Sequence, residues 1–317
     1  MISYAHILAA IIPVFLIMAT GFIIRRTGFI SDKGDTALMK LSINLFLPSL
    51  ILDKVVGNPL LSSSTIVLWA VGLGFGFVLV AMAICFAFAP LLGLEDGKGR
   101  RTFSITCGIT NYGFMALPVM AVVFPGDEVL GVLFLHSLGI ELAIWTLGIT
   151  ILSGASRPQW KLLINGPVIA IVLGLSLNAS GLHTFLPQAI TSVFTDFGSC
   201  AIPFGLLLVG AAIADVLDPK AFHNATRVFF GSCALRLGLL PLIMLTTIYT
   251  LNIAPELKQV VIVQAAMPAA VFPVVLARHY GGHPLTAVQV VIGTTIASAL
   301  TMPLVISLAL IYIPVNP

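Results

Sequence analysis

The sequence predicts an all-α polytopic membrane protein: ten transmembrane helices forming two inverted repeats of five, with broken helices at the fourth and ninth positions. Three observations carry this. Of 317 residues, 59% are hydrophobic and only 9% charged, with a mean hydropathy of +1.11, unlike a soluble domain folded around one core. Apolar runs of about 20 residues, the length of one bilayer crossing, recur between short polar links. Two of these runs carry prolines near their centres, and the first an amide as well, where a plain anchor would carry leucine.

Taken in order, the spans are expected at Ala5 to Ile24, Thr36 to Val56, Thr65 to Leu92, Thr102 to Phe124 and Glu128 to Leu152. After a short link from Ser153 to Lys161 come Leu162 to Ala179, Phe197 to Val216, Thr226 to Leu251, Gln259 to His279 and Pro284 to Ile313. The first run has no Lys or Arg before it and Arg25-Arg26 directly after it, the reverse of a cleavable signal peptide, so it reads as helix 1. Leu186 to Phe194 reads as a short amphipathic surface helix. The fourth span contains Thr110-Asn111-Tyr112-Gly113-Phe114-Met115-Ala116-Leu117-Pro118, and the ninth contains Pro268 and Pro273. A proline inside a helix donates no hydrogen bond, which frees carbonyls at a depth where lipid offers no partner. Such backbone survives only when buried in protein or lining a cavity. Two broken helices in corresponding places are the sequence mark of a secondary-transporter binding site.

Loop charge sets an orientation by the positive-inside rule. Arg25, Arg26, Lys33, Lys40, Lys98, Arg100, Arg101, Arg157, Lys161, Lys220, Arg227 and Arg278 fall on one side, against Lys54 and Lys258 on the other. Both termini are therefore expected outside. The net charge of +3 is spread over short loops and forms no patch, so nucleic acid is excluded as a partner. Cys85, Cys107, Cys200 and Cys233 lie in apolar segments without ligand spacing and read as small buried hydrophobes. No metal cluster, nucleotide-binding loop or catalytic dyad is present in the sequence, so neither a catalytic residue nor a cofactor is assigned.

Prolines within the spans mark the repeat. Pro13, Pro48 and Pro118 are spaced by 35 and 70 residues, and Pro167, Pro203 and Pro273 by 36 and 70. Each trio falls in the first, second and fourth spans of its half. Because five crossings is an odd number, the second half enters the bilayer upside down. This sets Pro118 and Pro273 across a pseudo-two-fold axis near the midplane, with half-helix ends aiming opposed partial charges at one small volume.

These motifs carry a resemblance. Asn111 seven residues before Pro118, Asn44-Leu45-Phe46-Leu47-Pro48 in helix 2, and Pro268-Ala269-Ala270-Val271-Phe272-Pro273 followed by Ala277-Arg278-His279-Tyr280 and His283-Pro284 are similar to the auxin efflux carrier family. That family contains bacterial carboxylate permeases and the plant PIN-FORMED auxin carriers, and the resemblance covers essentially the whole chain. It implies crossing of helices 4 and 9, a dimerising scaffold from helices 1, 2, 6 and 7, and a moving transport domain from helices 3 to 5 and 8 to 10 that works as an elevator. Two departures stand out. The long hydrophilic loop of the plant carriers has no room between helices 5 and 6, which favours a compact bacterial-type carrier in an inner membrane. Ala269 stands where the plant carriers tend to have glutamine, which argues against auxin itself.

Candidate site residues follow from burial cost. Asn111 offers donors and an acceptor beside Pro118 and is assigned to substrate binding, with Gln264, Asn44 and the prolines Pro118, Pro268 and Pro273 around it; helix packing is the competing role for the amides. Arg236 lies mid-helix 8, where a charge costs about 2.5 to 3.5 kcal/mol. Glu141 lies at similar depth in helix 5, so the simplest expectation is an Arg236–Glu141 pair. The functional alternative gives Arg236 the substrate carboxylate and Glu141, or His136, a coupling proton. Asp53 and Asp215, near helix ends, read as solvated or capping groups, and Gly72-Leu73-Gly74-Phe75-Gly76 as close helix packing. The function expected is secondary transport of a small organic anion, a carboxylate such as malate, malonate or an auxin-like acid, coupled to sodium or protons if coupled at all. The rivals are a sodium-coupled symporter resembling the bile acid sodium symporters, a sensor or scaffold that binds ligand without moving it, and an intramembrane hydrolase using Glu141 and His136.

Overall fold

The structure is a computed structural model, and it describes residues 4–29, 31–153, 163–217 and 226–315. The link expected at 153–161 lies almost wholly outside the described residues, as do Arg157, Lys161 and Lys220. All regular structure among the described residues is helical, in the order α1 (Tyr4–Arg26), α2 (Thr36–Val55), α3 (Ser64–Leu92), the half-helices α4a (Arg100–Gly108) and α4b (Ala116–Val123), α5 (Asp127–Leu152), α6 (Gly166–Ser180), α7 (Gln188–Val216), α8 (Thr226–Thr250), the half-helices α9a (Pro255–Ala266) and α9b (Phe272–His279), and α10 (Pro284–Tyr312).

Seven of these, α1, α2, α3, α5, α7, α8 and α10, are long and apolar enough to cross a membrane. The other three expected spans are shorter for physical reasons. Helices 4 and 9 are each halved, and α6 has only 15 residues. One expectation is corrected. The segment from Leu186 to Phe194 is not a separate surface helix, because Pro187 caps α7 and the helix then runs unbroken from Gln188 for 29 residues. Pro187 has an extended backbone, so helix begins at once behind it. Pro13 lies within α1 whereas Pro167 opens α6, so that pair of the proline trio does not occupy equivalent helical positions.

Two prolines leave the same local mark. Pro48 cannot donate to the Asn44 carbonyl, nor Pro241 to that of Leu237. In each case the preceding turn widens to a π turn, Ser42–Phe46 in α2 and Leu235–Leu239 in α8, with Leu47 N–H reaching back to the Ser42 carbonyl and Leu240 N–H to that of Leu235. A third π turn, Ile144–Gly148, lies in α5.

Packing separates the helices by how deeply they lie. α1 packs on α7, and α2 on α6 and α7; α3 packs on α5 and α4a, α8 on α10 and α9a, α5 on α9a, and α10 on α4a. α5 is interior, with 67% of its most apolar stretch buried, while α2 is peripheral at 22%. Small residues set the tightest approaches. A Cβ on Gly74 of α3 would meet the His136 carbonyl of α5, and one on Gly139 of α5 the Val71 carbonyl of α3. Gly21 and Gly210 do the same between α1 and α7, against Leu207 and Met18. Of the glycine run expected to pack closely, only Gly74 meets a neighbour; Gly72 and Gly76 face open space. Near the helix ends, Asp215 is exposed as expected but also paired, accepting from Arg25 Nε at 2.6 Å, and Asp53 bonds Lys54 at 2.8 Å and Thr195 Oγ1 at 2.5 Å.

Candidate functional site

The two helix breaks, 109–115 and 267–271, meet in the centre of the bundle and satisfy one another. Thr110 and Ala269 form an isolated antiparallel bridge. Around it Asn111 N–H donates to the Pro268 carbonyl at 2.8 Å, and Ala270 N–H to the Ile109 carbonyl at 3.0 Å. Backbone groups released by broken helices would each cost free energy if left unpaired away from water. Here each break supplies the other's partners, as two short strands would. Side chains complete the junction: Thr110 Oγ1 donates to Gln264 Oε1 at 3.1 Å, Gln264 Nε2 to the Tyr112 carbonyl at 3.4 Å, and Ala269 N–H to Thr294 Oγ1 of α10 at 3.1 Å.

The prolines act differently from the reading that placed them in mid-helix. Pro118 is the third residue of α4b and Pro273 the second of α9b. A first turn has no intrahelical acceptor for its N–H groups, so a proline there costs nothing and presets the helical φ. These two prolines start the distal halves. Pro268 lies in the break itself and supplies the carbonyl that holds Asn111.

Asn111 is buried at 6% exposure, and its side-chain amide makes no hydrogen bond among the described residues, although its main chain is fully engaged with Pro268 and Ala116. It is thus a polar group held rigidly at the junction with free donors and acceptor. Gln264, at 0% exposure, has both ends of its amide occupied by the first break and positions it. Asn44 is not brought to the junction. It lies exposed in α2, whose π turn packs on α6 and α7, and its Nδ2 donates to the Lys40 carbonyl of its own helix at 2.9 Å.

The structure does not form the expected Arg236–Glu141 pair. The Glu141 carboxylate accepts from Tyr112 Oη of the first break and from Trp145 Nε1, four residues on in its own helix. Trp145 in turn packs edge-on against Phe272 at the start of α9b, with ring centroids 5.7 Å apart. Glu141 therefore ties the first break to α5, and Trp145 ties the start of α9b to it. Arg236 sits in the α8 π turn at 1% exposure; its Nη2 reaches only Met244 Sδ at 3.9 Å, and its Nε has no partner. His136, also at 1% exposure, has neither ring nitrogen bonded. A cavity of about 20 Å³ is lined by Arg236, His136, Gln264, Thr110 and Gly108 together with apolar side chains of α3 and α8. Similar depth along two helices fixes height but not azimuth, which is why the acid and the base face different neighbours. Among the described residues no three His, Cys, Asp or Glu side chains converge as metal ligands would.

Sequence reasoning missed Tyr112, Trp145, Thr110 and Thr294. Trp145 stood within reach, because a residue four positions after Glu141 shares its helix face. Thr294 gave no signal, being one of many small polar residues in an apolar helix.

The family described as membrane transport protein matches residues 6–159 and 156–306. An "uncharacterized transporter" of Methanothermobacter thermautotrophicus is 25% identical over 298 residues, 93% of this chain and 95% of the relative. Auxin efflux carrier components 3 and 7 of Arabidopsis thaliana are 28% and 29% identical over 48% of this chain, and the aligned stretch spans only 24% and 25% of those proteins. The chain therefore belongs to the membrane transport protein family of auxin efflux carrier type.

Proposed function

We propose that this integral membrane protein is a secondary transporter of a small organic anion, a carboxylate, and that the anion binds where the two helix breaks meet. The observation that carries the reading is the buried, unbonded amide of Asn111 beside the first turn of α4b, whose N-terminal end favours negative charge. Tyr112 and Glu141 hold the break so that this amide keeps its place. In this reading α4a with α4b, and α9a with α9b, each cross the bilayer as one broken span, and α6 crosses as a short one. The chain then has ten spans in two inverted halves with both termini outside, in a bacterial inner membrane. The packing supports the inversion, since contacts of α3 with α4a, α3 with α5 and α4a with α10 have counterparts in α8 with α9a, α8 with α10 and α9a with α5. Helices α1, α2, α6 and α7 form the scaffold of a homodimer, and the rest shift against it as an elevator. The chemistry is binding and displacement only, with no catalytic group.

The test is reconstitution in liposomes, recording currents and labelled uptake against mono- and dicarboxylates and an indole acid, with sodium and pH varied independently. A saturable response to one acid is expected, and its ion dependence names the coupling; dependence on sodium at fixed membrane potential would establish a symporter. Silence in both assays from folded protein that nevertheless binds an acid would replace the carrier by a sensor.

A further inference from the structure

We propose that the cavity between α3, α5, α8 and α9a is a binding site for one monovalent anionic group, held by the Arg236 guanidinium and a His136 ring nitrogen. A guanidinium keeps its charge in proteins and needs acceptors for five N–H donors. Among the described residues Arg236 has no carboxylate partner; its one recorded bond goes to a thioether, a weak acceptor, and its Nε is buried and unbonded. The ionisable groups beside it are the Cys107 and Cys85 thiols, which carry no charge in their neutral form. A charge taken from water without a counter-charge is among the most costly arrangements a fold contains. The acid at similar depth that could have neutralised it, Glu141, is instead held by Tyr112 and Trp145.

The second observation is independent of the first. His136 is equally buried, lines the same cavity, and offers two unbonded ring nitrogens. A neutral imidazole presents one N–H donor, so the cavity combines a cation and a directional donor, and none of its lining residues is acidic. Its volume of about 20 Å³ exceeds the space one water needs and suits a single small ion or the head of a carboxylate. Two sources share this chemistry: a free halide, and the carboxylate of the transported acid, since Thr110 and Gln264 join the cavity to the helix breaks. The inference does not rest on the transport reading, because the guanidinium needs a counter-charge whatever the chain moves.

The test uses the purified full-length protein in detergent, with ionic strength held by isethionate, a sulfonate too bulky for the cavity, and the unfolding midpoint followed as chloride, bromide or acetate is titrated in. A ligand that binds only the native state raises the midpoint in a saturable way, by roughly 5 °C at a hundredfold excess over its Kd. The expected result is such a rise with halide, abolished in Arg236→Gln and weakened at least threefold in apparent affinity in His136→Phe. A rise with acetate alone, also lost in Arg236→Gln, supports the same site and assigns it to the acid. Should Arg236→Gln fail to fold, chlorine-35 NMR line broadening in the wild type, compared with His136→Phe, reads the same site. No saturable response to any of the three anions, or a response identical in the variants, overturns the proposal whether or not liposome transport succeeds.

Discussion

Two ionisable side chains within the bundle are treated in opposite ways. Glu141 on α5 has a phenol and an indole as donors, and through them it is built into the junction of the breaks. Arg236 on α8 has a thioether and an unbonded Nε, and it faces a cavity. On our proposal the difference teaches that the carboxylate is a structural group, its removal leaving donors stranded, whereas the guanidinium is poised for an anion the fold does not itself contain. α5 serves both, carrying His136 to the cavity and Glu141 to the junction.

The contrast can be broken first at the seat of α5. Gly74→Leu would drive a side chain into the His136 carbonyl, and overpacking of this kind costs about 3 kcal/mol when backbone must move. Both clusters should be disrupted together, seen as a fall in folded yield and unfolding midpoint; the outward-facing Gly72→Leu should change neither. Glu141→Ala comes next, stranding the Tyr112 hydroxyl and Trp145 N–H at about 3 kcal/mol for two buried donors left unpaired, while Tyr112→Phe should cost about 1 to 2 kcal/mol. Denaturation in detergent measures both. Arg236→Gln is expected to move the other way. In halide-free buffer it should unfold at a midpoint no lower than the wild type, because it removes an uncompensated buried charge. The smallest effect belongs to the charge exchange: if Arg236 and Glu141 are not partners, the coupling energy between Arg236→Glu and Glu141→Arg in a double-mutant cycle should stay within about 0.5 kcal/mol.

What could be read from the sequence was whatever backbone chemistry dictates locally. Pro118, Pro268 and Pro273 placed both breaks within a few residues, because proline acts on its own turn. They did not show that two of the three open the distal half-helices, since a proline tolerated in a first turn and one that kinks a helix look alike in a sequence. The apolar runs located α3, α5, α8 and α10 closely, as hydropathy is a property of each segment alone. Tertiary partners were out of reach: that Asn111 N–H finds Pro268, or that Glu141 turns to Tyr112 rather than to Arg236, depends on the rotation of one helix against another. Asn44 shows the same limit. Its place before Pro48 matched a motif, yet the structure turns it to its own helix, away from the junction.

The central claim, that the anion is bound at the meeting of the breaks, is tested most directly by the KM of labelled uptake for the transported acid in the wild type, Asn111→Ala and Asn44→Ala, with folding checked in each. Losing one hydrogen bond to a charged group is worth about 1.5 kcal/mol or more, so Asn111→Ala should raise KM about tenfold, and Asn44→Ala should leave it unchanged. An unchanged KM in Asn111→Ala, or an equal rise in both variants, would contradict the account.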